Sequence, residues 1–157
     1  MTRLEDLQRV EKALWRIARI GTGREAARVR AERSGVLLSR PSISILSALW
    51  ASGPVRLSAL AQLCDLEASL ISREVGGLVA DGHLGRCADP TDGRAAIVEL
   101  TVKGREAYET YRAATDDIVI ETLVEWSADE IAALADNLER LVADIRRAPR
   151  ATPARAR

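Results

Sequence analysis

Aromatic residues and cysteine are both scarce in this chain of 157 residues. Phenylalanine is absent and aromatic residues make up only 3% of the sequence, so the core must rest on leucine, isoleucine, valine and alanine, which suits packed helices. Two cysteines are too few for the disulfide framework of a small secreted protein. The single histidine, His83, is expected at the surface. One histidine and two distant cysteines are a poor set of metal ligands, and we expect no metal or other cofactor.

Long apolar runs are also missing. No stretch of about 18 uncharged apolar residues occurs, so we expect neither a transmembrane segment nor a membrane partner. The N-terminal segment MTRLEDLQRVEKALWRI alternates charged with apolar residues and lacks the apolar core of a signal peptide. We therefore expect a cytoplasmic protein. The formal net charge is zero, which argues against a nonspecific coat on nucleic acid but leaves room for locally placed arginines.

The first part of the chain predicts two helices. Apolar residues recur at spacings of three and four over residues 3–20, which indicates an amphipathic helix. Gly21 and Gly23 interrupt the pattern, so we expect either a kink or a restart capped by Thr22. Residues 24–33 then predict a solvated, arginine-rich helix.

The last part of the chain also predicts helices. A long helix is expected over 103–125, and Ser127 begins another, because SADE is a capping-box signature. From Ile131 to Ile145 the apolar residues keep a 3-4-3-4 spacing, the seam that one helix buries against another. Together with the leucines of the first helix, this is more apolar surface than one small lobe covers, and we expect an obligate homodimer. Residues 149–157 predict a disordered tail.

The middle of the chain, residues 40–101, predicts helix, short helix, tight turn, helix and β-hairpin in that order. Ser39 caps the first of these helices, and Leu60 and Leu63 are expected inside the short one. The second helix of the pair carries an apolar stripe of Ile71, Val75 and Leu78. A short helix and turn that feed a second helix form a helix-turn-helix, which presents that second helix to the major groove of DNA. The hairpin over 84–101 is a wing that can reach phosphate or the adjacent minor groove.

Several motifs in this order resemble the MarR family of bacterial transcriptional regulators. They are LSALA at 57–61, SLISR at 69–73, LVADG at 78–82, Arg86, DPTDGRA at 89–95 and LTVKG at 100–104. The specific part is the wing pattern, an Asp-Pro-x-Asp-x-Arg tip closed by Leu-Thr-x-x-Gly. The sequence departs from the family at Gly76, Gly77 and Gly93, where other members often carry polar or basic residues.

The resemblance implies a mainly α fold with a small β wing, in a single domain over residues 1–148. Residues 1–36 and 103–148 would form the dimerisation helices and residues 40–101 the winged helix-turn-helix. It also implies a homodimer on a pseudo-palindromic operator in double-stranded DNA. Many members bind a small ligand between the dimer region and the DNA-reading lobes.

The candidate DNA-binding residues are Ser58, Ser69, Leu70, Ser72, Arg73, Asp92 and Arg94. Arg73 can hydrogen-bond a guanine edge in two places, and Leu70 either touches a thymine methyl group or belongs to the core. Arg94 at the wing tip suits insertion into the minor groove, with Asp92 shaping the tip. The alternative for each is an ordinary solvated surface.

Candidate effector-binding residues are Trp15, Arg40 and Trp50, next to a basic stretch that starts at Arg24. They favour a small aromatic or anionic effector, although the basic stretch alone also fits a solvated helix. Cys64 and Cys87 leave open a thiol-based redox switch, against inert packing of a buried cysteine.

The resemblance implies a DNA-binding regulator, which we expect to be a ligand-responsive repressor. An enzyme is not expected, because no nucleophile with a base and no pocketed carboxylate pair is visible. The remaining alternative is a winged helix that binds protein without DNA. Salt-dependent binding to duplex DNA separates the two.

Overall fold

The computed structural model describes residues 2–92 and 95–147. In these residues the elements, in chain order, are α1 (Arg3–Thr22), α2 (Arg24–Ser34), α3 (Arg40–Ser52), β1 (Val55–Arg56), α4 (Leu57–Cys64), α5 (Ala68–Ala80), β2 (Leu84–Ala88), β3 (Ala96–Leu100), α6 (Val102–Thr122) and α7 (Ala128–Arg147). The expected mainly helical fold with a small β wing is confirmed. The chain divides into two compact units, Met1–Asp117 and Ile118–Arg157.

The core of the first unit is aliphatic, as the composition predicts. Its largest fully buried side chains are Ile45, Leu46, Leu49, Leu60, Ile71, Val75 and Val98. These residues come from α3, α4, α5 and the sheet, and each such burial contributes roughly 1.5–3 kcal/mol. One aromatic side chain from α6 joins them, because Tyr108 is buried and its hydroxyl donates to Ser47 Oγ at 2.9 Å. Its ring lies 5.6 Å from that of Trp50.

The break between α1 and α2 falls at Gly23. This residue is both the C-cap of α1 and the N-cap of α2, and α2 has no side-chain cap. The predicted stop and restart is confirmed, but Thr22 is not its cap, because Thr22 is still the last residue of α1. The prediction for α3 is confirmed, since the Ser39 hydroxyl accepts the N–H of Ser42 at 3.1 Å.

The wing belongs to a three-stranded antiparallel sheet with strand order β1-β3-β2. Strands β2 and β3 pair from Leu84–Leu100 to Ala88–Ala96, as a hairpin requires. The outer strand β1 has only two residues, paired through Val55 with Val98. It is too short to show the alternation by which a strand is recognised in a sequence.

The two terminal helices each carry apolar side chains that the single chain leaves uncovered. In α1, Leu7 is 57% exposed, and in α7, which lies in the second unit, Ile145 is 61% exposed. The capping box of α7 is confirmed, because the Glu130 carboxylate accepts the Ser127 N–H at 2.9 Å. Within the described ranges, no helix combines the length and the hydropathy needed to cross a bilayer.

Candidate nucleic-acid interface

Helices α4 and α5 are joined by a tight turn at Asp65. Its φ of 51° is in the left-handed region, where aspartate is better tolerated than most residues. The N–H of Leu66 donates to the carbonyl of Ala61 at 3.0 Å and closes the turn. In α4 the inward stripe runs through Leu60 and Cys64, so Leu63 lies to one side and is 51% exposed. The prediction that Leu63 is inside is wrong for this reason.

Helix α5 has one buried side and one exposed side. The predicted stripe is confirmed, because the residues Ile71, Val75 and Leu78 are at most 2% exposed. The other side presents Ser69, Ser72 and Arg73 to solvent, and Leu70 is half-buried. The Arg73 side chain is 76% exposed. The core therefore anchors α5 along one stripe and leaves the candidate DNA-binding residues on the surface.

A groove of about 320 Å³ separates the start of α5 from the wing strands. Ser58 from α4, Ser72 from α5 and Arg86 from β2 all line it. The sequence prediction placed both serines in the interface but did not include Arg86. A signal was present, because Arg86 is one of the residues that carry the family resemblance in the sequence.

The base of the wing is held by a carboxylate that sequence reasoning missed. Asp89 is only 6% exposed, and its Oδ2 accepts a hydrogen bond from Arg56 Nε at 2.6 Å. The hydroxyl and the backbone N–H of Thr91 both donate to Asp89 Oδ1 at 2.7 Å. These Thr91 bonds, followed by the Arg56 bond, lower the pKa of Asp89 to about 2. Because Arg56 is the N-cap residue of α4, the ion pair ties the wing to the helix-turn-helix.

Backbone hydrogen bonds close the wing around its tip. Asp89 donates its N–H to Ala95 O at 2.9 Å, and Ala95 donates its N–H to Asp92 O at 2.8 Å. Asp92 therefore takes part in the turn through its backbone, while its predicted side-chain role stays a prediction. Gly93 and Arg94 lie outside the described residues, so the minor-groove role of Arg94 also stays a prediction.

The Leu-Thr-x-x-Gly motif forms a tight joint between the wing and α6. The N–H of Thr101 donates to the carbonyl of His83 at 3.1 Å, and its hydroxyl is shared between Gly82 O at 2.8 Å and His83 O at 3.0 Å. Gly104 packs so closely that a Cβ there would lie 2.0 Å from the His83 oxygen. His83 is half-buried with its Nδ1 enclosed, so the expectation of a surface histidine is wrong. Burial, with a smaller effect of Lys103, lowers its pKa.

A second cavity, of about 730 Å³, lies within the first unit. Its lining comes from the α1–α2 junction, α2, the α2–α3 linker, α3 and α6. Arg40 lines this cavity, whereas Trp15 and Trp50 are not among the described residues that do. Trp15 instead lies under the Arg19 guanidinium, 5.1 Å from the ring centroid, and Trp50 packs against the core. The effector role of these three residues stays a prediction.

The two cysteines lie in different surroundings. Cys64 is half-buried against the core, and burial raises the pKa of its thiol, which disfavours the reactive thiolate. Cys87 is exposed on β2.

The arrangement of α4, α5 and the β2–β3 hairpin defines a class of protein. A short helix and a tight turn support a second helix whose outer side is free, and a hairpin stands beside it. This is a winged helix-turn-helix, a class whose DNA-binding members place the second helix in the major groove.

Comparisons with known proteins agree with this class. Residues 38–95 match the family model described as the MarR family. The chain is 30% identical over 104 residues to the uncharacterized HTH-type transcriptional regulator YxaD of Bacillus subtilis, covering 66% of this chain and 73% of that protein. A MarR family protein from Bacillus stearothermophilus has a TM-score of 0.80 at 19% identity, over 92% of this chain and 99% of that one.

A further solved structure concerns BpsR of Bordetella bronchiseptica, whose DNA binding is regulated by 6-hydroxynicotinic acid. Its TM-score is 0.65 at 20% identity, over 85% of this chain and 98% of that one. The chain belongs to the MarR family of winged helix-turn-helix transcriptional regulators, which are DNA-binding proteins.

Proposed function

We propose that the protein is a homodimeric, ligand-responsive repressor that binds a pseudo-palindromic operator and acts in the cytoplasm without enzymatic activity. The observation that carries the proposal is the two-sided α5. Its apolar stripe is buried at Ile71 and Val75, while Ser69, Ser72 and Arg73 face outward. A guanidinium on such a surface can make two hydrogen bonds to guanine O6 and N7.

The groove beside α5 supports the same orientation on DNA. Ser58 and Ser72 have hydroxyls that suit phosphate or base edges, and Arg86 adds a positive charge between the helix and the wing. In this arrangement α5 enters the major groove and the wing follows the adjacent backbone. Arg94 at the wing tip would then reach the minor groove.

The decisive experiment measures sequence discrimination. The wild-type protein selects an operator from a pool of random duplexes, and fluorescence anisotropy then gives its Kd for that operator and for a scrambled duplex. Arg73→Ala should lower discrimination by about 1–3 kcal/mol per half-site, roughly 5- to 150-fold. Arg112→Ala is the matched control, because Arg112 is an exposed helical arginine outside the helix-turn-helix.

Each outcome of this experiment has a distinct meaning. Equal loss on both duplexes would assign Arg73 to phosphate contact instead of base reading, because phosphate contacts carry no sequence information directly. Failure of the wild type to select any duplex, at low salt as well, would favour a protein-interaction module and defeat the proposed function.

The homodimer is supported by the uncovered apolar faces of the terminal helices. Leu4 and Leu7 in α1, and Leu138, Val142 and Ile145 in α7, are each more than 40% exposed in the single chain. Burying such stripes against a second copy removes them from water. A two-fold dimer also explains why the operator would be a near-palindrome, with one half-site for each α5.

The effector proposal rests on the chemistry of the cavity of about 730 Å³, which is within the usual size range for small-molecule sites. Val36, Leu38 and Ile43 give it apolar walls, and Arg30 and Arg40 give it positive charge. Arg30 Nε is buried and has no hydrogen-bond partner among the described residues.

A buried donor of this kind needs an acceptor. An aromatic carboxylate would match both the apolar walls and the positive charge. BpsR, whose DNA binding responds to an aromatic acid of this kind, is a structural precedent.

A further inference from the structure

Helix α5 contains a carboxylate that is fixed from another helix. Glu74 Oε2 accepts hydrogen bonds from the hydroxyls of Ser39, at 2.7 Å, and Ser42, at 2.9 Å. Both serines lie at the start of α3, and Ser42 is buried. The Ser39 bond, followed by the Ser42 bond, lowers the pKa of Glu74, so the carboxylate is ionised at neutral pH.

The cap of α3 does not require this carboxylate. Ser39 already accepts the Ser42 N–H, which is the bond that a helix cap needs. Glu74 adds a link across 35 residues of sequence and places a negative charge on the DNA-reading helix. A carboxylate on this helix is repelled by the phosphates of bound DNA, so its presence calls for a specific role.

The second oxygen of Glu74 lies beside the Arg73 guanidinium. Oε1 lies 3.8 Å from Arg73 Nη2, and the two side chains are 19% and 76% exposed respectively. Both line a shallow cavity of about 220 Å³ together with Gly77, which has no atom within 4 Å of the place where a Cβ would lie. The long Arg73 side chain therefore has open space on one side and a fixed carboxylate on the other.

The rigidity of Glu74 determines how much its ion pair with Arg73 can contribute. An exposed ion pair normally contributes little, because two flexible side chains must both be ordered. Here the carboxylate is already ordered by two hydroxyls, so only the arginine loses conformational freedom. Reading a guanine in two places requires one guanidinium orientation, and a preorganised side chain loses less on binding.

We propose that Glu74 is a positioning residue for Arg73. Its carboxylate, held by Ser39 and Ser42, orients the guanidinium for base reading and so favours the operator over other DNA. The proposal rests on the proposed function, in which Arg73 reads a base.

A double-mutant cycle tests this role. The measured quantity is the ratio of the Kd for a scrambled duplex to the Kd for the selected operator, in wild type, Glu74→Gln, Arg73→Ala and the double variant. Glutamine still accepts the serine hydroxyls but has lost the charge. We expect Glu74→Gln to lower the ratio roughly fivefold when Arg73 is present, and to change it less than about twofold when Arg73 is replaced.

Ser42→Ala is the second variant, and it keeps the charge of Glu74 while it removes one of the two hydroxyls that fix it. It should lower the ratio by a smaller factor, again only when Arg73 is present. Thermal unfolding of each variant confirms that it is folded, and Ser42→Ala keeps the test open if Glu74→Gln does not fold.

Three results would overturn the proposal. If Glu74→Gln tightens binding to both duplexes equally, the residue contributes only charge repulsion. If it lowers the ratio equally in both backgrounds, its role is purely structural. If Arg73→Ala alone leaves the ratio unchanged, Arg73 reads no base and Glu74 has nothing to position. That last result is distinct from failure of the wild type to select any operator, which defeats the proposed function itself.

Discussion

Replacing Gly104 by alanine should destabilise the protein, because the joint between the wing and α6 has no room for a methyl group. The new Cβ would lie 2.0 Å from His83 O, and the two segments must separate by about 1 Å to restore even 3.0 Å. The carbonyl cannot turn away freely, since the Thr101 N–H donates to it and the Thr101 hydroxyl is shared between it and Gly82 O. Relief must therefore come from movement of the backbone.

The magnitude follows from three contributions. Overpacking costs about 1–3 kcal/mol. Weakening the two Thr101 bonds adds about 1 kcal/mol or more. The better helix propensity of alanine offsets up to about 1 kcal/mol. We expect a net loss of about 1–4 kcal/mol in the free energy of unfolding. For a chain of this length that lowers Tm by roughly 2–16 °C.

Gly77→Ala is the matched control for Gly104→Ala. It makes the same chemical change within a helix, but nothing lies within 4 Å of the new Cβ. It should raise stability by up to about 1 kcal/mol, or Tm by roughly 2–4 °C. Circular dichroism melts at one fixed protein concentration measure both changes, since the Tm of the proposed dimer would depend on concentration. A Gly104→Ala protein as stable as wild type would refute the steric reasoning.

Three further predictions concern the wing, the dimer and the effector. Because the pKa of Asp89 is lowered from 3.8 to about 2, its ionised form stabilises the fold above pH 4, and this contribution disappears as the pH falls towards 2. The difference in stability between wild type and Asp89→Ala should shrink across that window, and a constant difference would exclude the ionised carboxylate as its source. Leu138→Asp with Leu141→Asp should give monomers or aggregates in sedimentation velocity, and a folded wild-type monomer at micromolar concentration would contradict the dimer. An aromatic carboxylate at 100 times its Kd should add about 2.7 kcal/mol to the free energy of unfolding of the wild type but much less to that of Arg30→Gln, with the corresponding neutral amide as control ligand. Equal thermal shifts for the acid and the amide would show that the cavity does not require an anionic ligand.

The sequence was sufficient to predict the structure wherever the signal lies within a single element. The caps formed by Ser39 and Ser127 fix the starts of α3 and α7, because a serine cap bonds an N–H within the same turn. The stripe of Ile71, Val75 and Leu78 also follows from helical periodicity alone, and these three residues are buried. The order of elements in the middle of the chain is confirmed for the same reason.

Such local signals did not predict which residues are buried where both sides of a helix carry apolar side chains. Leu60 and Leu63 are equally hydrophobic, and only the packing of α4 decides that Leu60 is buried while Leu63 is 51% exposed. The two-residue strand β1 exists because β3 is beside it, and its own sequence carries no strand pattern.

The sequence alone determined the family, the helical architecture and the outward-facing residues of α5, because these depend on motifs and periodicities within single elements. Tertiary structure decided which polar residues meet across elements. Asp89 bonds Arg56 across 33 residues and Glu74 bonds Ser39 across 35. The physical reason is that a hydrogen bond between separate elements forms only when packing brings their backbones together. Spacing along the chain carries no record of that approach.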